Sequence, residues 1–249
     1  MGFFSKLFNN KQVNPDQNLN STTPTTMTID MSKHTEQLET VLIDMSKNGK
    51  TDMTNHSARV AIAMDYSGSM SNMFSNGEVQ EIVTRLLPIA LKFDDNEELE
   101  SWLFSNDCER INPVTISNYQ NYVKNFMLNA GMYMGGTEYA PVLKDIVKYY
   151  KDNNPSDIPA FVIFITDGDN SDENVTDSIV RKISEYNMFV QFVGIGSGSN
   201  FKYLRKLDNL SGRKSDNTGF ITVQDMNKLN DEQLYTEMLR QYNDWLNKK

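Results

Sequence analysis

Ala160-Phe161-Val162-Ile163-Phe164-Ile165-Thr166, followed at once by Asp167-Gly168-Asp169-Asn170, is the stretch that decides the fold. A charge-free run of this length, without alternation of polar and apolar positions, reads as a strand buried on both faces. Met188 to Ile195 (MFVQFVGI) has the same character, and Val60 to Met64 is a shorter run of the kind. Helical periodicity separates them. Val79 to Phe93 carries it through Ile82, Val83, Leu86 and Leu87, with Pro88 expected to kink the helix. Tyr119 to Leu128, Glu138 to Lys151, Val175 to Tyr186 and Phe201 to Leu210 also read as helices, and Leu234, Met238, Tyr242, Trp245 and Leu246 mark a closing one. Weaker strands are expected at Glu100 to Ser105, Glu109 to Val114 and Phe220 to Val223. Such alternation predicts an α/β fold: a doubly wound, mostly parallel sheet flanked by helices on both faces.

Before this region the chain changes character. Phe3, Phe4, Leu7 and Phe8 form a short aromatic tip, and residues 9–26 hold 12 Asn, Gln, Ser or Thr together with two Pro. Too little apolar surface is available there to offset ordering, so residues 1–28 read as a flexible segment and linker. Met31, Thr35, Leu38, Val41, Leu42 and Met45 then recur at steps of three and four, which predicts an amphipathic helix within residues 29–50, packed on a domain spanning 51–249.

Composition narrows the function. With 24 Lys and Arg against 33 Asp and Glu, the chain of 249 residues carries a net charge of −9, which disfavours nucleic acid and anionic bilayers as partners. A single Cys108 and two His exclude an internal disulfide framework and a cysteine-rich zinc site. No apolar run approaches the roughly 20 residues of a membrane span, so stable membrane insertion is not expected. A cytoplasmic protein is.

Ligands of open α/β sheets bind at the carboxyl ends of the strands. Asp65-Tyr66-Ser67-Gly68-Ser69-Met70 leaves the first strand, Gly135-Gly136-Thr137-Glu138 precedes a helix, and Asp167-Gly168-Asp169-Asn170 leaves the run quoted above. Asp65, Ser67, Ser69, Thr137 and Asp167 together make an all-oxygen set of two carboxylates and three hydroxyls. Hard cations take such ligands: Mg²⁺ is favoured, Mn²⁺ is a second choice, and Ca²⁺, which wants more oxygens, a third.

These three motifs, in this order, resemble the metal-ion-dependent adhesion site of von Willebrand factor type A domains, over roughly Arg59 to Asp225. Arg85 to Asp95 (RLLPIALKFDD) and Gly135 to Val142 (GGTEYAPV) resemble more particularly the bacterial tellurium-resistance-associated branch, which is also similar to copine A domains. The resemblance implies that Asp65, Ser67, Ser69, Thr137 and Asp167 hold the metal. It also implies a metal-dependent protein-binding module, not an enzyme, whose partner presents an Asp or Glu to the ion, with a link to tellurium resistance or stress response.

Each motif alone has an ordinary reading. Ser67, Ser69 and Thr137 could cap the helices that follow, and Asp167 could simply start a turn. Asp169, Asp172 and Glu173 read as a solvated acidic rim. Gly194-Ile195-Gly196-Ser197-Gly198 lacks the third glycine of a dinucleotide fingerprint, with Ser199 in its place, and reads as a turn. The rival functions are a Mg²⁺-dependent phosphoester hydrolase, which lacks an evident base or phosphate clamp, and a structural scaffold with a vestigial site.

Overall fold

Strand β1 (Arg59–Asp65) buries every one of its residues, because its two faces meet two different cores. Val60, Ile62 and Met64 enter one core while Ala61 and Ala63 enter the other, as the period-two geometry of a strand requires. Strands β2 (Leu99–Phe104), β3 (Cys108–Val114), β4 (Ala160–Thr166), β5 (Met188–Ile195) and β6 (Thr218–Val223) complete one six-stranded sheet of order β3-β2-β1-β4-β5-β6. All pairings are parallel except β2 with β3, an antiparallel hairpin at the edge. This computed structural model describes residues 25–168, 170–196, 201–224 and 228–249.

Helices cover both faces. In chain order they are α1 (Thr25–Asn48), the short α2 (Ser71–Ser75), α3 (Glu78–Phe93), α4 (Ala140–Lys148), α5 (Glu173–Ile183), α6 (Lys202–Asp208) and α7 (Asp231–Asn247). Residues of α1, α3 and α7 pack on the Val60, Ile62, Met64 face; those of α4, α5 and α6 pack on the Ala61, Ala63 face. A triad of buried Arg85 with half-buried Asp231 and His34 ties the first group together. Arg85 Nε donates to Asp231 Oδ1 at 2.8 Å, and His34 Nδ1 lies 2.7 Å from Asp231 Oδ2. Burial works against ionisation of Asp231, yet His34 and Arg85 hold its carboxyl below the usual range.

Winding direction reverses between β1 and β4. The chain leaves β1 through α3 to reach β2 on one side, and reaches β4 through α4 on the other, so the carboxyl ends of β1 and β4 flank the topological switch point. The loop after β1 carries Asp65 to Met70, and the loop after β4 begins with Asp167.

Several local expectations change. Residues 25–28, expected in a linker, begin α1; the aromatic tip and residues 9–24 lie outside the described residues, as do 197–200 of the glycine-rich turn. Tyr119 to Leu128 is not a regular helix but a single wide turn at Val123–Met127. Asn121 adopts φ 59°, which interrupts α-helical winding, and Gln80 from α3 donates to Tyr119 O and accepts from Val123 N, replacing helical bonds. The helix expected from Glu138 starts two residues later at Ala140 and gives way to another wide turn at Tyr149–Asn153. Pro88 lies within α3 without ending it.

Candidate metal site

Asp65 ends β1 with no exposed surface, and its Oδ1 accepts the backbone N–H of Ser67 at 2.8 Å, a tight Asx-type turn. That turn lets Gly68–Met70 wind into a short 3₁₀ segment. Ser67, 2% exposed, does not cap this segment through its side chain. Its Oγ lies instead 3.0 Å from Ser69 Oγ, and Ser69 Oγ donates to Asp167 Oδ1 at 2.9 Å. The Ser67 and Ser69 hydroxyls thus lead in a hydrogen-bonded chain to Asp167, and Asp65 joins it through the backbone N–H of Ser67, across the β1–β4 crevice.

Thr137 arrives from the second loop. Gly135 O accepts Gly68 N–H at 3.0 Å, and Asn106 in the β2–β3 turn accepts Gly136 N–H at 2.7 Å. Asn106 Oδ1 would stand 2.3 Å from a Cβ at position 135, so a larger residue there would push the exposed Asn106 amide off Gly136 N–H. Glu138 N–H is held by Ser105 O and Thr137 O by Ser171 N–H. Thr137 Oγ1 makes no hydrogen bond to the other four residues and does not cap a helix; α4 starts beyond it.

A supporting shell was not legible as such in the sequence. Thr166 Oγ1 donates to Asp65 Oδ2 at 2.6 Å, and Tyr139 Oη donates to Gly168 O. Asp172, expected in a solvated rim, is half-buried and accepts Tyr139 N–H at 3.0 Å and Ala140 N–H at 2.7 Å. Its carboxylate thus caps α4 from another loop, where the helix dipole favours negative charge. Glu173 is exposed and pairs with Lys206; Asp169 lies outside the described residues.

Charge sets the chemistry. Burial pushes the Asp65 carboxyl up to about 6, against hydrogen bonds from Thr166 and Ser67 that favour ionisation, and burial also raises Asp167. Among the described residues no Lys, Arg or His pairs with either acid. Nor does any group of three or more His, Cys, Asp or Glu assemble there to hold a metal. Metal ligation at the strand ends would rest on two carboxylates supplemented by the Ser67, Ser69 and Thr137 hydroxyls. That donor set fits a small hard cation that keeps some of its waters.

Comparison with known proteins agrees with this architecture. A family model described as the vWA found in the TerF C terminus matches residues 57–249. The uncharacterized protein YcbR of Bacillus subtilis (strain 168) is 38% identical over 199 residues, covering 79% of this chain and 81% of its own. Among solved structures, proximal thread matrix protein 1 from the mussel byssus, described with a zinc-occupied MIDAS motif, aligns at a TM-score of 0.52 and 16% identity. That alignment covers 74% of this chain and 47% of the mussel protein, so the chain spans about half its length. BatB from Bacteroides thetaiotaomicron aligns at a TM-score of 0.52 and 18% identity, over 75% of this chain and 99% of its own. At such identities these structures show a shared fold.

Proposed function

Because the chain belongs to the TerF-like von Willebrand factor type A family, we propose that its strand-end oxygen cluster holds a divalent cation, Mg²⁺ by preference, and binds an acidic protein partner through it. One observation supports this most directly. Asp65 and Asp167 are held at one place through Ser67, whose backbone N–H binds Asp65 and whose hydroxyl leads through Ser69 to Asp167, and among the described residues no basic side chain balances them. Asp65, Ser67, Ser69, Thr137 and Asp167 would hold the ion. When bound, the cation supplies Lewis-acid affinity for an incoming carboxylate oxygen.

The chain's own residues do the rest. Thr166 and Ser67 N–H orient the Asp65 carboxylate, and Asp172 and Asn106 fix the backbone on either side of Thr137. A surface of charge −9 repels an acidic partner, so a cation in the crevice reverses the sign only where contact is wanted. The module acts as a binder rather than an enzyme. A cytoplasmic setting and a place in tellurium resistance or stress response belong to the same reading, and tellurite sensitivity of a deletion strain tests that placement. No helix among the described residues is long and apolar enough to cross a membrane.

Affinity capture from the native host, in Mg²⁺ and in EDTA, tests the binding role. A partner retained by wild type in Mg²⁺ and lost both in EDTA and with Asp65→Ala supports it. Turnover of a nucleotide or phosphoester panel by metal-loaded protein would replace it with a hydrolase, and capture insensitive to EDTA with a scaffold.

A further inference from the structure

Tyr133 is the most exposed large apolar side chain among the described residues, at 83%, and it stands at the rim of the candidate metal site. The backbone that carries it is fixed. Tyr133 O accepts the hydroxyl of buried Ser105 at 3.1 Å, and Ser105 O accepts Glu138 N–H at 2.8 Å, so one residue gathers both ends of the loop that contains Thr137. Between those ends Gly135 O accepts the N–H of Gly68, the residue between Ser67 and Ser69. Tyr133 and Thr137 are four residues apart, which bounds their Cα separation at about 14 Å.

The ring itself is turned out while its neighbours are turned in. Met132 and Met134 are partly buried and pack on the core that takes Val60 and Ile62. Tyr133 Cδ1 would stand 3.7 Å from a Cβ at Gly135, so the ring lies along the loop toward Gly135 instead of away from the crevice. Neither the ring nor its hydroxyl makes a hydrogen bond, ring contact or cation contact among the described residues. A ring of this size held open to water on a fixed loop adds little to the fold, and its apolar area is released from water only when something covers it.

Charge says what covers it. No charged residue occurs from 125 to 137, in a chain of which 23% is charged. An aromatic face takes either a cation or an apolar group, and this stretch supplies no carboxylate to favour the cation, whereas Met132 and Met134 beside the ring supply adaptable apolar walls. We propose that Tyr133 reads the residue next to the acid that the cation takes: the partner segment sets its carboxylate on the metal and lays a large aliphatic side chain, two residues away, on the Tyr133 ring. In an extended segment those two side chains point the same way, about 7 Å apart, within the bound set by Tyr133 and Thr137. This rests on the metal-dependent reading of the site and adds to it which acidic partners are chosen.

Three peptides test the proposal by NMR titration of the Mg²⁺-loaded full chain: acetyl-Gly-Asp-Gly-Leu-Gly-amide and its counterparts with Gly or Lys in place of Leu. The Leu peptide should bind about 5-fold or more tightly than either counterpart. Tyr133→Ser, at an exposed position whose backbone bond remains, should make the Leu and Gly peptides bind alike with Mg²⁺ affinity as in wild type, and Tyr133→Phe should keep the preference. Equal binding of the Leu and Gly peptides by Mg²⁺-loaded wild type, binding of neither, preference for the Lys peptide, or a preference that survives Tyr133→Ser would overturn it. A self-associating wild type that Tyr133→Ser makes monomeric in sedimentation would assign the ring to a second copy of the chain and overturn it as well. Failure of the metal reading looks different: calorimetry would show no Mg²⁺ bound, or the Gly peptide would bind equally in EDTA.

Discussion

Thr166 donates its hydroxyl to Asp65 Oδ2 at 2.6 Å, joining the last residue of β4 to the last residue of β1, both without exposed surface. The bond orients a carboxylate whose ionisation burial opposes. Thr166→Val preserves shape and removes the donor, leaving a buried oxygen unpaired. We expect a stability loss of about 1–3 kcal/mol in denaturant unfolding, and about 10-fold or more weaker Mg²⁺ binding by calorimetry. Thr166→Ser should recover most of both.

Asp172 is a positioning residue for Thr137. Asp172→Ala leaves the Tyr139 and Ala140 N–H groups without their carboxylate and should lower stability by about 1–2 kcal/mol. Thermal unfolding reads the first effect. Metal affinity should fall as well, although Asp172 is not proposed as a ligand, whereas Glu173→Ala should alter neither.

Two glycines of the candidate site should respond differently. Gly135→Ala would place its Cβ 2.3 Å from Asn106 Oδ1, so the exposed Asn106 amide must swing away and release Gly136 N–H, at a cost of about 0.5–1.5 kcal/mol. Nothing lies within 4 Å of a Cβ at Gly168, so Gly168→Ala should unfold at the wild-type denaturant concentration.

His56 gives stability a pH dependence. Burial, with a smaller contribution from Lys249, pushes its imidazole down to about 4, and Nε2 lies 2.8 Å from Tyr242 Oη. The folded value is below the unfolded value of about 6.5, so the neutral ring contributes stability above pH 6.5 that is lost as pH falls toward 4. His56→Gln should therefore lose less stability than wild type between pH 7 and pH 5, measured by urea unfolding at each pH.

What could be read in the sequence was whatever depends on neighbours in the chain. The continuous apolar runs Ala160 to Thr166 and Met188 to Ile195 marked their strands to the residue, because burial on both faces leaves no alternation to misread. Asp65, Ser67 and Ser69 stood out because they end or directly follow the apolar run of β1, and Asp167 because it directly follows β4. Thr166 and Asp172 did not, since their partners lie 101 and 33 residues away and no local period encodes such a meeting. Tyr119 to Leu128 failed for a related reason: its apolar spacing is helical, but Asn121 turns left-handed and Gln80 from another helix takes over its backbone bonds. Tertiary contacts overrode a correct local pattern there.

The cation itself is the claim on which the binding role depends. Isothermal calorimetry of the full chain against Mg²⁺, with Asp65→Asn and Asp167→Asn beside it, tests that claim most directly. The account predicts one Mg²⁺ per chain for wild type and about 10-fold or greater loss of affinity in each variant, with circular dichroism unchanged. Equal Mg²⁺ binding by wild type and both variants, or none by correctly folded wild type, would contradict it.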